Sequence, residues 1–348
     1  MTPAPRPGAS GGLYPLLLEP LYKEKVWGGR RFERMGRSLP GDGHVLWGES
    51  WEVADLATTA TSGGGGDPAR SVIANGPIAG STLTDLMATR GAEVLGDAAR
   101  SDDGGFPLLV KYLDARRNLS VQVHPSPAYA ARHPGARLKS EAWYVVQADP
   151  GAAIYKGLSP GITRAHVERA IRDGTVPDLL TAVPAVPGAA HYLPSGTCHA
   201  LGAGVLVAEV QTPSDTTFRV YDWDRADRET HVEEALASMT FGPLDASAHE
   251  PDSRDESEGR VTRGLVRCPH FAIDEWSVPR GGRRDASLGR AEVWMVIEGG
   301  VIMEPVTVPF EPVLVPAGRT VLLPAAVDTV VAETTDDTRL LRITPGGA

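Results

Sequence analysis

Short apolar runs, bounded by glycine and proline, recur along most of this chain of 348 residues. Residues 47–54 alternate large apolar with polar side chains, and further strand-like runs follow at 107–114, 119–123 and 205–210. A period of two is typical of strands, because successive strand side chains point to opposite faces of a sheet. Residues 25–31, which contain two glycines, predict a turn. After residue 260 only short strand-like runs occur, so the sequence predicts a mainly β protein.

Helical spacing of apolar residues occurs in only a few places. Residues 83–95 and 164–173 each follow a serine or threonine that can cap a helix, and Gly174 ends the second pattern. We expect a third, shorter helix at 177–182. These segments are too few to change the β-rich prediction.

The composition supports this fold class and limits the partners. The chain contains 39 glycines and 29 prolines, which favours many turns. Apolar residues make up 42% of it, yet no run of about 18 apolar residues predicts a membrane-spanning helix. A net charge of -10 argues against nucleic acid as a partner. An anionic ligand would need a local cluster of basic side chains.

The cysteines and the N-terminus indicate a cytoplasmic protein. Cys198 and Cys268 form no C-x-x-C pair and fit a reducing compartment. Residues 1–12 lack the apolar region of a secretory signal and are interpreted as a frayed tail. Cys198 would face away from its neighbour on a strand, so we interpret it as a small buried apolar residue.

Two parts of the chain repeat one pattern. Ser-Glu-Ala-Trp-Tyr-Val-Val at 140–146 resembles Ala-Glu-Val-Trp-Met-Val-Ile at 291–297. Downstream, a Pro-x-Gly-x-x-His motif ends at His199, whereas its counterpart ends at Val321. We interpret the chain as two related β-barrels, one that holds a metal and one that has lost it.

The acidic stretch 245–259 is poor in core-forming residues and is the best linker candidate. It divides a metal-binding domain, 13–244, from a degenerate second domain without metal ligands, 260–348. The first domain has gained a small helical insertion at about 159–182.

The candidate metal ligands are Gln122, His124, Glu141 and His199. Gln122 and His124 lie two apart on a predicted strand and share a face. Glu141 begins the next strand, and His199 follows a Pro-Ser-Gly turn. Imidazole and carboxylate suit Zn²⁺, Mn²⁺, Fe²⁺ and Co²⁺. The alternative is a pair of core histidines that hydrogen bonds satisfy, which is the commoner situation for a histidine taken alone.

Three further charged residues are candidates for catalysis. Lys139 lies two residues before Glu141 and shares its face, so it is placed for proton transfer. Arg219 can stabilise negative charge on oxygen or bind a phosphate, and Glu209 precedes it on a strand. The alternative for Lys139 or Arg219 alone is a solvated surface charge.

Four motifs, in this order, carry a resemblance to a known family. They are Ser-Val-Gln-Val-His-Pro, Lys-Ser-Glu-Ala-Trp-Tyr, Pro-Ser-Gly-Thr-x-His-Ala-Leu-Gly and Ser-Asp-Thr-Thr-Phe-Arg. Together with the opening Val-Trp-Gly-Gly they resemble the type I mannose-6-phosphate isomerases, in their short bacterial form. The resemblance covers nearly the whole chain. It implies two cupin (jelly-roll) barrels and an isomerase that interconverts mannose 6-phosphate and fructose 6-phosphate through an enediol or enediolate.

The resemblance also implies roles for single residues. It implies one zinc ion per chain on Gln122, His124, Glu141 and His199, with the glutamine the least certain ligand. It places Arg219, Lys139 and Glu209 in the active site. The base stays open between Lys139, Glu209 and a water on the metal. Trp27 and Arg225 are expected to bind the phosphosugar, although a core position for Trp27 is equally compatible. We expect a monomer or homodimer.

Other readings of the same residues remain. A cupin isomerase or epimerase for a different aldose would have the same metal ligands. A metal cupin dioxygenase is disfavoured by the Lys139, Glu209 and Arg219 set. A silent sugar-binding metal cupin is disfavoured because the first repeat keeps all its ligands while the second has lost them.

Overall fold

The computed structural model describes residues 11–60, 65–133, 135–223, 225, 228–242, 244, 249–251, 253–257, 259–287 and 289–346. Among these, no helix is long and apolar enough to cross a membrane. Residues 1–10 of the predicted tail, and 245–248, 252 and 258 of the predicted linker, lie outside the described residues.

The structure is mainly β, as predicted. Its strands are β1 Leu16–Leu17, β2 Leu21–Gly29, β3 Trp47–Val53, β4 Asp55–Leu56, β5 Ala69–Arg70, β6 Leu109–Ala115, β7 Val121–Val123, β8 Glu141–Ala148, β9 Ala153–Leu158, β10 Leu180–Pro184, β11 Ala190–Leu193, β12 His199–Leu201, β13 Val205–Gln211, β14 Phe218–Tyr221, β15 Ser253–Ser257, β16 Arg260–Arg267, β17 Phe271–Val278, β18 Arg283–Ser287, β19 Glu292–Glu298, β20 Gly300–Pro305, β21 Val313–Pro316, β22 Thr320–Leu323, β23 Thr329–Thr334 and β24 Thr338–Pro345. The helices are α1 Leu83–Leu95, α2 Pro127–Ala130, α3 Arg164–Asp173 and α4 Val232–Ser238.

Contacts within the described residues divide the chain into two units. One unit comprises the described parts of 1–20, 70–107 and 252–348, and the other those of 21–69 and 108–251. The first unit contains a seven-stranded sheet in the order β1-β22-β19-β24-β17-β16-β15 and a four-stranded sheet in the order β18-β23-β20-β21. The predicted boundary at 245–259 stays a prediction.

The second unit carries every candidate site residue. Its six-stranded sheet has the order β11-β8-β13-β6-β3-β2, and its five-stranded sheet the order β10-β9-β12-β7-β14. Leu113, Val145 and Val207 of the first sheet share one apolar cluster with Ile154 and Leu201 of the second. The two sheets therefore pack on each other through apolar side chains, with the hydrophobic effect as the main stabilising term.

The two longer helices occur where predicted, with the expected ends. Thr82 caps α1 and forms a reciprocal capping box with Asp85. Gly174 ends α3 in the left-handed conformation, with φ of 70°. The helix predicted at 177–182 is wrong, because a 3-10 turn at Val176–Leu179 leads directly into β10, which pairs with β9.

The turn predicted at 25–31 is also wrong. Strand β2 continues to Gly29, and a 3-10 helix follows at Arg31–Met35. The glycine at 28 permits close approach of two strands, because a Cβ there would lie 2.5 Å from the backbone nitrogen of Gly48.

Candidate metal centre and active site

Three side chains meet at the centre of the site: His124, Glu141 and His199. His124 directly follows β7, whereas Glu141 begins β8 and His199 begins β12. All three are buried, and their potential ligand atoms lie within 4.8 Å of one another. The two histidine Nε2 atoms lie 3.4 Å (His124) and 3.1 Å (His199) from the Glu141 carboxylate oxygens. The predicted convergence of these residues is therefore present.

Backbone carbonyls fix both imidazole rings. His124 Nδ1 lies 2.8 Å from the carbonyl oxygen of Thr216, and His199 Nδ1 lies 2.9 Å from that of Thr197. Because a carbonyl oxygen only accepts, we assign a proton to Nδ1 of each ring. Each Nε2 then faces Glu141, the orientation in which a metal-binding histidine is held by a backbone partner.

The charge state of the cluster fits a divalent cation. Burial, and after it the ammonium of Lys139, lower the pKa of His124 to about 3, so the ring is neutral. Burial alone would raise the pKa of Glu141, but the ammonium of Lys139 outweighs it and holds that pKa well below its ordinary value. Glu141 Oε1 accepts no hydrogen bond from the described residues. A buried carboxylate beside two imidazoles is a suitable donor set for a metal.

Gln122 lies next to this cluster. It is paired with His199 across β7 and β12. Its amide nitrogen lies 3.3 Å from His199 Nε2, and its amide oxygen accepts from the Ser120 hydroxyl at 3.3 Å. The amide is thus at the edge of the cluster, and direct ligation by its oxygen requires the opposite amide orientation.

Lys139 connects the cluster to a second carboxylate. Its Nζ lies 2.5 Å from Glu141 Oε2, 3.0 Å from His124 Nε2 and 3.9 Å from Glu209 Oε1. Trp143 Nε1 donates to the other oxygen of Glu209 at 2.9 Å. Lys139 and Glu209 are both buried. Lys139 is therefore not the solvated surface charge that the sequence left as its alternative.

Arg219 is also buried, on β14. One guanidinium nitrogen donates to the carbonyl oxygen of Glu229, whereas Nε has no hydrogen-bond partner among the described residues. Burial, and after it the neighbouring Arg228, lower the pKa of Arg219. A buried guanidinium with an unused donor is suited to binding an anion.

One cavity lies beside the His-Glu-His cluster, whose three residues are not among those that line it. It is lined by Gln122, Lys139, Glu209, Arg219 and Trp27, all of them predicted site residues. Trp27 also packs in the apolar cluster between the two sheets. It therefore lines the cavity and is a core residue at the same time, the two positions that the sequence left open.

Arg225 lies elsewhere. It is not among the residues that line the cavity, and it pairs with Asp222 at 2.5 Å and donates to the carbonyl oxygen of Asn118 at 3.0 Å. Arg228, three residues later, lines the cavity instead.

Five charged residues of the cavity wall were not predicted as site residues from the sequence: Lys25, Glu49, Lys111, Asp215 and Arg228. A signal existed for Lys111, because it interrupts the apolar run 108–113, and the structure shows every residue of its strand β6 to be buried. A lysine in such a strand needs a partner. The others lie in segments whose sequence does not distinguish a pocket from a surface.

Comparisons with known proteins agree on one family. A family model described as the catalytic domain of type I phosphomannose isomerase matches residues 16–144. The mannose-6-phosphate isomerase of Streptococcus mutans is 37% identical over 270 residues, covering 76% of this chain and 79% of that protein. The mannose-6-phosphate isomerase ManA of Bacillus subtilis is 33% identical over 308 residues, covering 85% and 90%.

Solved structures give the same result. The crystal structure of a mannose 6-phosphate isomerase from Bacillus subtilis matches with a TM-score of 0.81 and 30% identity, over 94% of this chain and 99% of that one. The crystal structure of the apo form of a mannose 6-phosphate isomerase from Salmonella typhimurium matches with a TM-score of 0.70 at 17% identity, a likeness of fold alone, over 95% of this chain and 99% of that one.

Fold and site together define a mainly β enzyme with a buried His-Glu-His group that could bind a metal. With relatives this similar over most of their length, the chain belongs to the type I phosphomannose isomerase family.

Proposed function

We propose that this chain is a zinc-dependent isomerase that interconverts mannose 6-phosphate and fructose 6-phosphate. The observation that carries the proposal is the single cavity in which Lys139, Glu209 and Arg219 adjoin the buried His124, Glu141 and His199 cluster. The relatives named mannose-6-phosphate isomerase support this substrate.

His124, Glu141 and His199 would hold one zinc ion per chain, with Gln122 as the fourth protein ligand. Neutral imidazole and carboxylate are donors that zinc accepts. When bound, zinc supplies Lewis-acid stabilisation of negative charge on a sugar oxygen.

The reaction moves hydrogen between two neighbouring carbons. A base takes the proton from C2 of the aldose and returns it to C1, while a hydroxyl proton passes from O2 to O1, so the intermediate is an enediol or enediolate. Lys139 and Glu209 are our protein candidates for these transfers, beside a water on the metal, because Lys139 lies 3.9 Å from Glu209 and both line the cavity. Arg219 offers a fixed positive charge to the developing oxyanion or to the phosphate.

The phosphate must bind in a chain of net charge -10. Arg219 and Arg228 supply a local positive field at the cavity wall, and Trp27 offers an aromatic face. Arg225 is kept as a substrate-binding candidate through its pairing with Asp222, a carboxylate that also pairs with Arg228.

We further propose two cupin barrels, with the boundary at 245–259 and a helical insertion at 159–182 in the first. The repeat supports this, because Glu141 begins β8 and Glu292 begins β19, each followed two residues later by a buried tryptophan. We propose that the protein acts in the cytoplasm on a small phosphosugar, as a monomer or homodimer.

The test is conversion of mannose 6-phosphate to fructose 6-phosphate by the purified chain, before and after chelation and after zinc is added back. We expect activity to disappear on chelation and to return with zinc. Glu141→Gln should abolish metal binding and activity. Glu292→Gln, the matched change in the second repeat, should leave both intact. A folded, zinc-loaded protein without turnover would disprove the proposed substrate.

A further inference from the structure

A row of alternating charges crosses the six-stranded sheet of the site. In its register Glu209 on β13 lies opposite both Trp143 on β8 and Lys111 on β6, and Lys111 lies opposite Trp51 on β3. Residues directly opposite each other on neighbouring strands share a face of the sheet. This face is therefore the wall of the cavity, and its charges belong to one array.

The array continues beyond Glu209, away from the His-Glu-His cluster. Lys111 Nζ lies 3.4 Å from Glu209 Oε1 and 3.7 Å from Glu49 Oε2, and Lys25 Nζ lies 3.2 Å from Glu49 Oε1. From Lys25 through Glu49 and Lys111 to Glu209 the sign of the charge alternates at each step. Each lysine thus faces a carboxylate, as buried charges require.

Glu49 is held in place from several sides. Its Oε2 accepts from Trp51 Nε1 at 2.6 Å, and the Lys111 ammonium lies 4.8 Å from the centre of the same tryptophan ring. Burial alone would raise the pKa of Glu49, but the ammonium groups of Lys25 and Lys111 outweigh it and bring it to about 2. Glu49 is therefore ionised at neutral pH, next to a lysine that also faces Glu209.

We propose that Lys25 and Glu49 are positioning residues of the isomerase site: Glu49 holds the Lys111 ammonium beside Glu209, and Lys25 compensates the charge of Glu49. The inference rests on the proposed function, in which Glu209 takes part in proton transfer. Neither Lys25 nor Glu49 needs to touch the reacting carbons. Each acts through the geometry and charge of its neighbour.

The two roles separate kinetically. Loss of the Glu49 charge releases Lys111 from one of its two carboxylates, so the geometry around Glu209 changes and kcat falls. The cavity then also carries one more positive charge, so an anionic substrate binds no more weakly. Loss of the Lys25 charge leaves an excess carboxylate in the cavity, so KM for a sugar phosphate rises. kcat should therefore depend on whether the carboxylate of Glu49 is present, whereas KM should depend on the net charge of Lys25 and Glu49 together.

The experiment is steady-state isomerisation of mannose 6-phosphate by Glu49→Gln, Lys25→Met, the double variant and Lys25→Arg. For Glu49→Gln we expect kcat to fall about tenfold or more with KM unchanged or lower. For Lys25→Met we expect KM to rise about fivefold, the effect of one unit charge several ångströms from the substrate. The double variant should restore KM but not kcat. Lys25→Arg, which keeps the charge, should resemble the wild type.

The matched control is the exposed pair Arg164–Glu168, 2.8 Å apart on α3 and outside the residues that line the cavity. Arg164→Met with Glu168→Gln should leave kcat and KM unchanged. Equal kcat and KM in the wild type and the Glu49 and Lys25 single variants would overturn the proposal. So would a double variant whose KM stays as high as that of Lys25→Met. If a single variant fails to fold, the charge-neutral double variant and Lys25→Arg still provide the comparison.

A wild-type chain that does not act on mannose 6-phosphate would refute the proposed function instead. An active wild type whose Glu49→Gln and Lys25→Met variants keep the wild-type kcat and KM would refute this inference alone.

Discussion

Replacement of Trp143 by phenylalanine would test how the site holds Glu209. The indole Nε1 donates to Glu209 Oε2 at 2.9 Å, and both side chains are buried. Phenylalanine has no donor, so one oxygen of a buried carboxylate loses its hydrogen bond. A hydrogen bond to a charged group contributes about 1.5–3 kcal/mol, and the smaller ring leaves space that costs about 1 kcal/mol more. We expect a loss of about 2.5–4 kcal/mol in the free energy of unfolding.

The same change should reduce catalysis. Without the indole, Lys111 at 3.4 Å and Lys139 at 3.9 Å are the charged partners left to the carboxylate of Glu209 within the described part of the chain. A displacement of about 1 Å at a reacting group can cost about a hundredfold in rate. We expect kcat of Trp143→Phe to fall about 10- to 100-fold, measured with mannose 6-phosphate on the fully folded protein. Urea denaturation of the same preparation gives the stability change.

The chain contains its own control. In the second repeat Trp294 is equally buried, and its Nε1 donates to Glu292 Oε2 at 2.7 Å. Trp294→Phe should therefore cost a similar free energy of unfolding while kcat stays at the wild-type value. The reasoning is refuted if Trp143→Phe keeps full kcat, or if Trp294→Phe lowers kcat to the same extent.

Three further predictions concern charged residues of the second unit. Arg228→Met should raise KM for mannose 6-phosphate about tenfold. Arg225→Met should raise it less, because Arg225 does not line the cavity. Steady-state kinetics of both variants measures the difference. Arg37→Met should lower the free energy of unfolding by about 3–5 kcal/mol, measured by urea denaturation, because Glu52, now 2.8 Å from Arg37, would become a buried carboxylate without its cation. A loss below about 1 kcal/mol would contradict this. Glu49 has a folded-state pKa of about 2 against an ordinary value of 4.5, so its ionisation contributes about 3 kcal/mol that is fully present above pH 4.5 and is lost as pH falls toward 2. The difference in stability between wild type and Glu49→Gln should accordingly shrink in denaturation series from pH 7 to pH 3, and a constant difference would contradict it.

The centre of the site was predictable because local rules determine it. Gln122 and His124 share a face through strand alternation, and Glu141 and His199 each begin a strand beside a recognisable motif. Cys198 belongs to an apolar cluster, as alternation next to His199 predicted. In these cases the spacing of the residues along the chain was enough to predict which side chains lie on the same face.

The outer wall of the cavity was not predictable in the same way. Lys25 and Glu49 come together only because β2 pairs with β3, a pairing that the assumed turn at 25–31 concealed. Arg228 lines the cavity and the predicted Arg225 does not. The sequence after β14 has no periodic pattern from which this difference could be predicted. Such contacts are set by tertiary structure and not by the spacing of residues along the sequence.

The charged row across the six-stranded sheet has a consequence for folding. A slip of one residue between β6 and a neighbouring strand would turn Lys111 to the opposite face of the sheet, away from Glu49 and Glu209. A buried ammonium without a carboxylate is costly, so misregistered sheets are disfavoured. The charged side chains of the proposed isomerase site would thus also favour the native pairing register while the strands assemble. A variant in which Lys25, Glu49, Lys111 and Glu209 are all replaced by neutral residues should refold with more misfolded product.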